Sequence, residues 1–464
     1  MATKNNTAVK PFGTVDKIAY AFGDFGNDFT FILASSFMLK FYTDVMGVSA
    51  GIVGALMMMA RFVDAVTDTA MGQLVDRSEA TERGRFIPWM RRFMGPVALA
   101  SFLLYASWFA NMPMAFKIFW MFLTYLLWGS ICYTGVNIPY GSMASAITDN
   151  PDERTQLSTW RNIGATLAQT VIGVVLPLVV YYTDANGNSQ LSGTKMSIAA
   201  AVCSVCAVIC YMICTSLSTE RVKIPKKVEK FSIGALLKQL GSSRSLISII
   251  AAAIVLLLSQ LTMSGMCAYI FPNYYNAPSG QSIATLIGSV VGLILCFFVI
   301  PPAAKRFGKK EISTAGGVVA VIGFLIAFIM RPSNMYVYIL FYELGYFGVA
   351  MFNGCIWAMI VDVIDEDNVR RGTRSDGTIY SLYSFARKIG QALSSGLTGA
   401  LLTMVGYTTA TAFDPDVLNG IFTAGTLIPT IGFALLVVIL AFWYPLDKKT
   451  VDANAAKLAE MRKQ

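Results

Sequence analysis

The chain has 464 residues and not one histidine. The side chain that most often serves as a general base near neutral pH is therefore missing. So are the commonest zinc ligand and the imidazole on which a phosphotransferase permease is phosphorylated. Charge is scarce as well: Asp, Glu, Lys and Arg make up 14% of the residues, where an average soluble domain carries about 25%. Long polar stretches are also lacking. The largest break between apolar runs, Ser218 to Ser245, is too short for a catalytic domain. These absences weigh against a membrane glycosyl or phosphate transferase, which needs an acid cluster for metal or a nucleophile and base in a long loop.

What the chain has is apolar sequence, 55% of residues with a mean hydropathy of +0.58. Several runs exceed about 18 largely apolar residues, enough to cross about 30 Å of hydrocarbon. The runs are continuous rather than alternating, which selects helices over a barrel. The sequence predicts an all-α polytopic membrane protein with twelve transmembrane helices, at 15–46, 50–76, 91–111, 116–146, 158–182, 196–218, 246–276, 281–304, 311–330, 335–364, 377–407 and 418–446. They fall into two six-helix halves, 1–218 and 246–464, joined by a linker at 219–245 with Arg221, Lys223, Lys226, Lys227 and Lys230. Basic residues and glycine follow the second helix of each half, a faint echo that suits a duplicated bundle.

The net charge of +9 could suggest nucleic acid. Its distribution argues otherwise. With the N-terminus in the cytoplasm, the external loops carry only Lys117, Lys195 and Arg331, so the basic excess faces the cytoplasm. That asymmetry predicts a multi-pass cell-membrane protein with both termini cytoplasmic, no nucleic-acid partner, and a monomer in the bilayer. A polar leader before a long first span reads as no cleavable signal, and the tail after the last span is short. The eight cysteines all lie in apolar runs. Cys203, Cys206, Cys210 and Cys214 share a helical spacing, and one CxxC with no second and no histidine reads as packing rather than zinc.

Against that background the intramembrane charges stand out, because charge in hydrocarbon is costly and marks function by default. In the second span, Asp64 and Asp68 are four apart and share a face, with Thr67 between them and Arg61 one turn earlier. Two carboxylates and a hydroxyl suit a small hard cation such as Na⁺, or one carboxyl can carry H⁺. A static pair with Arg61 or Lys388 is the structural alternative. The first span repeats the spacing with Asp24 and Asp28, Asn27 beside them, Gly23 and Gly26 for close approach, and Tyr20, Phe22, Phe25 and Phe29 around them. Carboxylates that accept paired hydroxyls, beside rings that cover C–H faces, suit a sugar; the alternative is that these acids only pair with basic residues on other helices. The fourth span holds Tyr133, Thr134, Asn137 and Tyr140 around Pro139, which predicts a break in the helix there. The fifth span opens with Arg161 and Asn162, the eleventh with Arg387 and Lys388. An interior Lys388 would balance the second-span acids, whereas Arg387 reads as an edge residue. In the tenth span, Glu343, Asn353 and Trp357 precede Asp362, Asp365, Glu366 and Asp367, a gate or loop expected to pair with Arg370, Arg371 and Arg374. The GSVVG run at Gly288–Gly292 reads as helix packing.

Taken in order, GDFGND, ARFVDAVTDTAMG, GRFIPWM, NIPYGS and YSFARKIGQALSSG resemble the glycoside–pentoside–hexuronide:cation symporters, the melibiose-carrier-like branch of the major facilitator superfamily. The resemblance runs from about Ile18 to Tyr444. It implies a sugar site supplied by Asp28, Tyr133 and Arg161, a cation site at Asp64, Thr67 and Asp68 with Thr134 close by, and a buried Lys388. The melibiose carrier has aspartate at Asn137, tryptophan at Gly141 and asparagine at Thr67, so sugar and coupling ion stay open. Asp24, absent from the melibiose carrier, is a candidate replacement for the missing carboxylate. The expected activity is symport of a sugar or glycoside with Na⁺ or H⁺ by alternating access, with no cofactor. The sugar is expected between the halves, touched by Asp24, Asp28, Asn27, Tyr133, Asn137 and Arg161. A lysolipid or other small-molecule carrier of the same fold, or a non-transporting sugar sensor, are the alternatives.

Overall fold

The computed structural model describes residues 11–222, 243–371 and 376–461. Helices dominate: α1 Thr14–Asp44, α2 Ala50–Arg77, α3 Phe86–Leu104, α4 Met114–Ile147, α5 Pro151–Val179, α6 Gly193–Leu217, α7 Arg244–Tyr274, α8 Ser279–Phe307, α9 Lys309–Met330, α10 Met335–Arg371, α11 Asp376–Met404, α12 Pro415–Trp443 and α13 Lys448–Met461. Among the described residues, nine of these are long and apolar enough to cross a membrane. The long helices outside that set are α1, α3 and α11, and they carry charge along their length, including Asp24 and Asp28, Arg91 and Arg92, and Arg387 and Lys388.

Several boundaries differ from the sequence expectation. Helix α3 takes in FIPWM, which reads as loop from the arginines on either side of it, because its first amides are capped from a distance. Pro88 sits in that first turn, where its missing N–H costs nothing. Helix α5 starts at Pro151 with Asp152 and Glu153 in its first turn, a polar start that suits the helix dipole but hides from a hydropathy reading. The expected loop at Thr183–Lys195 holds the end of a two-stranded antiparallel hairpin, Tyr181–Thr183 against Ser189–Leu191. Asp184 accepts the amides of Asn186 and Asn188 at its turn, which hold that carboxyl below its usual range.

The chain divides into two compact units. The first comprises Met1–Phe41, Val63–Gly173 and Ser192–Glu229; the second comprises Tyr42–Phe62, Val174–Leu191 and Lys230–Gln464. The expected linker residues 223–242 lie outside the described residues. In the first unit α3 packs on α4 and α6. In the second, α9 packs on α10 and α12, and α7 on α11 and α12. Small residues set some of these distances. A Cβ on Gly54 in α2 would stand 2.9 Å from the Gly399 Cα in α11, so only a pair of glycines permits that crossing.

Helix α4 is not regular. Leu126–Tyr133 forms wide π-helical turns, and a regular helix resumes at Thr134. Pro139 lies inside that regular stretch and is buried, so the break expected at the proline sits earlier in the helix.

Candidate functional site

The two sequence-predicted clusters both form within the first unit. Asp64 is 7% exposed, and the Ser130 hydroxyl donates to its Oδ1 at 2.5 Å. One turn along α2, the Thr134 hydroxyl donates to Asp68 Oδ1 at 2.7 Å. The wide turns of α4 carry Ser130 and end next to Thr134, so the irregular backbone is what aims both hydroxyls at α2. Such turns are frequent at functional sites. Gly129 lines the same spot, since a Cβ there would come within 3.7 Å of Asp64 Oδ1. The Thr67 hydroxyl instead donates back to its own helix, at 3.2 Å to the carbonyls of Val63 and Asp64. Its oxygen keeps lone pairs for a cation, but its proton is committed. Two carboxylates with two hydroxyls form an all-oxygen set of the kind hard cations select.

The second cluster is built on α1. Asp24 is buried and receives Arg161 Nε of α5 at 3.1 Å. The guanidinium lies 5.3 Å from the centre of the Tyr140 ring. Tyr140 stacks on Tyr20 with ring centres 4.7 Å apart, and the two tyrosines exchange hydroxyl-to-carbonyl bonds, at 2.7 Å from Tyr140 and 3.4 Å from Tyr20. Gly23 is the space that ring occupies: a Cβ there would meet Tyr140 at 2.1 Å. Gly26 abuts Cys210. Both glycines therefore serve helix contacts rather than ligand approach.

Asn27 is fully buried. It accepts the Tyr211 hydroxyl at 2.8 Å and donates to Asn137 Oδ1 at 3.3 Å. Tyr133 stacks on Phe31 at 5.8 Å. Asp28 is half-buried and, among the described residues, makes no hydrogen bond or ion pair. Asp24 and Arg161 thus neutralise each other, Asn27 is held by its neighbours, and Asp28 keeps a carboxylate for something else. Ser130 and Tyr211 were not singled out from sequence. Ser130 had a readable signal, because Ser130 and Thr134 repeat the spacing of Asp64 and Asp68.

The remaining candidates lie in the second unit. Arg61 and Lys388 are both half-buried, on α2 and α11. Arg387 lies over Trp357 and Tyr383, with its carbon 5.8 Å and 5.9 Å from the ring centres. Asp367 pairs with Arg370 at 3.0 Å, as expected. Asp362 is held by Lys309 at the start of α9, which donates to both its oxygens, at 2.6 and 2.8 Å. Glu366 accepts from Ser245. Arg374 and the side chain of Arg371 lie outside the described residues. Asn353 donates to Gln260 at 3.3 Å.

The family described as MFS/sugar transport protein matches residues 19–448. An uncharacterized symporter, YjmB of Bacillus subtilis, is 32% identical over 451 residues, covering 96% of this chain and 94% of its own length. The isoprimeverose transporter of Lactiplantibacillus pentosus is 31% identical over 93% of this chain and 89% of its own. The glucuronide carrier protein homolog of Escherichia coli is 29% identical over 93% of each. Among solved structures, an inward-facing bacterial homologue of the human lysosomal transporter Spinster aligns over 96% of this chain and 97% of its own, at a TM-score of 0.65 and 13% identity, a likeness of fold alone. Both the motif order and these matches lead to one place: the chain belongs to the glycoside–pentoside–hexuronide:cation symporters, the melibiose-carrier-like sugar transporters of the major facilitator fold.

Proposed function

We propose that this protein moves a sugar or glycoside across the cell membrane together with Na⁺ or H⁺, by alternating access, with both termini in the cytoplasm. The observation that carries the reading is the division of labour on α1. Asp24 is spent on Arg161, whereas Asp28, one turn away, has an uncommitted carboxylate beside aromatic and amide side chains. A carboxylate can accept two vicinal hydroxyls at once, and Tyr133 and Phe31 supply apolar faces nearby. Relatives named for isoprimeverose and for glucuronide support a glycoside or hexuronide as substrate.

The cation is assigned to Asp64 and Asp68, with Ser130 and Thr134 as further oxygens and Thr67 at its edge. Lys388 is assigned the balancing charge of the empty carrier. A bound cation cancels negative charge on α2, and linkage requires that cation and sugar then raise each other's affinity equally. Net inward movement of one positive charge also draws about 2.3 kcal/mol per 100 mV from the membrane potential.

The test uses de-energised vesicles carrying the protein. Isoprimeverose, glucuronides and other glycosides are added while external pH and Na⁺ are recorded. Sugar-triggered alkalinisation assigns H⁺; Na⁺ uptake at constant pH assigns Na⁺. No ion movement with any glycoside, from protein shown to be folded, would overturn the reading.

A further inference from the structure

Glu343 has no role in the mechanism above. It lies in α10 within the second unit, and both its carboxyl oxygens are buried. Among the described residues, neither oxygen has a hydrogen-bond partner, and no cation faces it. Its surroundings are specific. Oε2 stands 3.3 Å from where a Cβ on Gly288 of α8 would be, and the Tyr346 ring lies 3.2 Å from the same point. The titratable groups around it are Cys267 of α7 and Tyr342 and Tyr346 of α10, and none of them supplies positive charge. The glycine-rich face of α8 thus makes room for a carboxyl group as well as for a helix.

An unpaired carboxylate in a membrane-spanning helix costs far more than a neutral acid of the same shape, because only the ion must surrender its full hydration. Gly288 gives the group space but no counter-charge, and that surrounding favours the neutral, proton-bound form over the ion. We propose that Glu343 is a proton-binding site of the carrier, separate from the Asp64–Asp68 pair, and that it holds H⁺ as a neutral carboxylic acid against Gly288. The site stands on its own geometry and does not depend on which ion drives transport. Opening of the α8–α10 contact would admit water and let the proton leave, so turnover should depend on proton occupancy at Glu343 even where Na⁺ is the coupling ion.

The experiment is infrared difference spectroscopy on full-length protein in lipid, wild type against Glu343→Gln, at pH 7. The expected result is a protonated-carboxyl C=O band in the wild type that is missing from the variant and shifted, not lost, in Glu343→Asp. Loss of a carboxylate band instead would overturn the proposal. A functional arm follows uptake against pH at saturating Na⁺. Wild-type uptake should fall at alkaline pH in step with the infrared band, and the permanently neutral Glu343→Gln should lack that fall. An identical alkaline fall in both would overturn the link to turnover. Should Glu343→Gln not fold, the Glu343→Asp band shift and its pH profile decide the same two points.

Discussion

The Glu220 carboxylate fills the place a side chain on Gly84 would need. A Cβ on Gly84 would stand 2.2 Å from the Glu220 carboxyl carbon, and Gly84 has φ +98°. From that position Glu220 accepts the amide just before α3, Arg85 at 2.7 Å, and the first two of the helix, Phe86 and Ile87 at 2.9 Å. The next residue, Arg221, grips Asp16 of α1 through both carboxylate oxygens, at 3.0 and 2.9 Å. Its amide also bonds the Ala146 carbonyl of α4. A segment that reads as linker therefore ties α1, α3 and α4 to the end of α6.

Gly84→Ala should destabilise the first unit twice over, through left-handed backbone strain of about 1 kcal/mol and by displacing the cap. Glu220→Ala should cost roughly 0.5–2 kcal/mol, the usual range for losing a helix cap. Both are read as lowered melting temperatures of the purified carrier, and wild-type melting in both would refute the cap.

On α1, Asp28→Asn should weaken sugar binding at least tenfold, about 1.4 kcal/mol, with little effect on melting, because Asp28 supports nothing else. Asp24→Asn should lower both, since it strands the Arg161 guanidinium. Arg161→Lys should not restore function, as a point charge cannot reproduce a planar group lying over Tyr140. Equilibrium binding and thermal unfolding, measured side by side, separate the two acids. Equal effects of Asp24→Asn and Asp28→Asn on melting would contradict the assignment.

Ser130→Ala and the isosteric Thr134→Val each remove a hydrogen bond to a carboxylate, an interaction of about 1.5–3 kcal/mol. The half-saturating cation concentration for uptake should rise about tenfold or more in each, while sugar binding without added cation stays as in wild type. An unchanged cation dependence in both variants would remove the two hydroxyls from the cation site.

In the second unit, Tyr407 donates to Asp44 Oδ1 at 2.8 Å. Tyr407→Phe should cost roughly 0.5–1.5 kcal/mol by removing one of the donors to the half-buried Asp44, which keeps the Thr43 hydroxyl at 2.9 Å. The loss should be constant between pH 6 and about 9, below the ordinary tyrosine range. A loss that vanished within that window would show that the hydroxyl ionises there.

Much of this is legible in the sequence. The acid pairs Asp24–Asp28 and Asp64–Asp68 declared themselves because carboxylates in apolar helices need a reason, and a spacing of four puts each pair on one face. What escaped was the set of partners. Tyr211 sits in a run of alanine and cysteine that looks like core, and Glu220 looks like linker, because each acts on backbone or amide groups more than 130 residues away in sequence. The split of roles between Asp24 and Asp28 was equally hidden, since identical residues at one helical spacing differ only in which of them Arg161 reaches. Pro139 misled for the opposite reason: its chemistry is loud, yet the distortion lies one to three turns earlier, where nothing in LLWGSICY announces it.

The wide turns at Leu126–Tyr133 have a consequence for how such carriers can change over time. A wide turn holds more residues than the regular turn it replaces, so this stretch behaves as an absorbed insertion. Deleting one residue there could restore an ordinary helix without shortening it appreciably. Because the extra residue is absorbed locally, the flanking helix would keep its phase and Thr134 would stay on Asp68, whereas Ser130, inside the wide turns, would lose the displacement that aims it at Asp64. A carrier one residue shorter inside this stretch would therefore present a different hydroxyl, or none, to the carboxylate at Asp64.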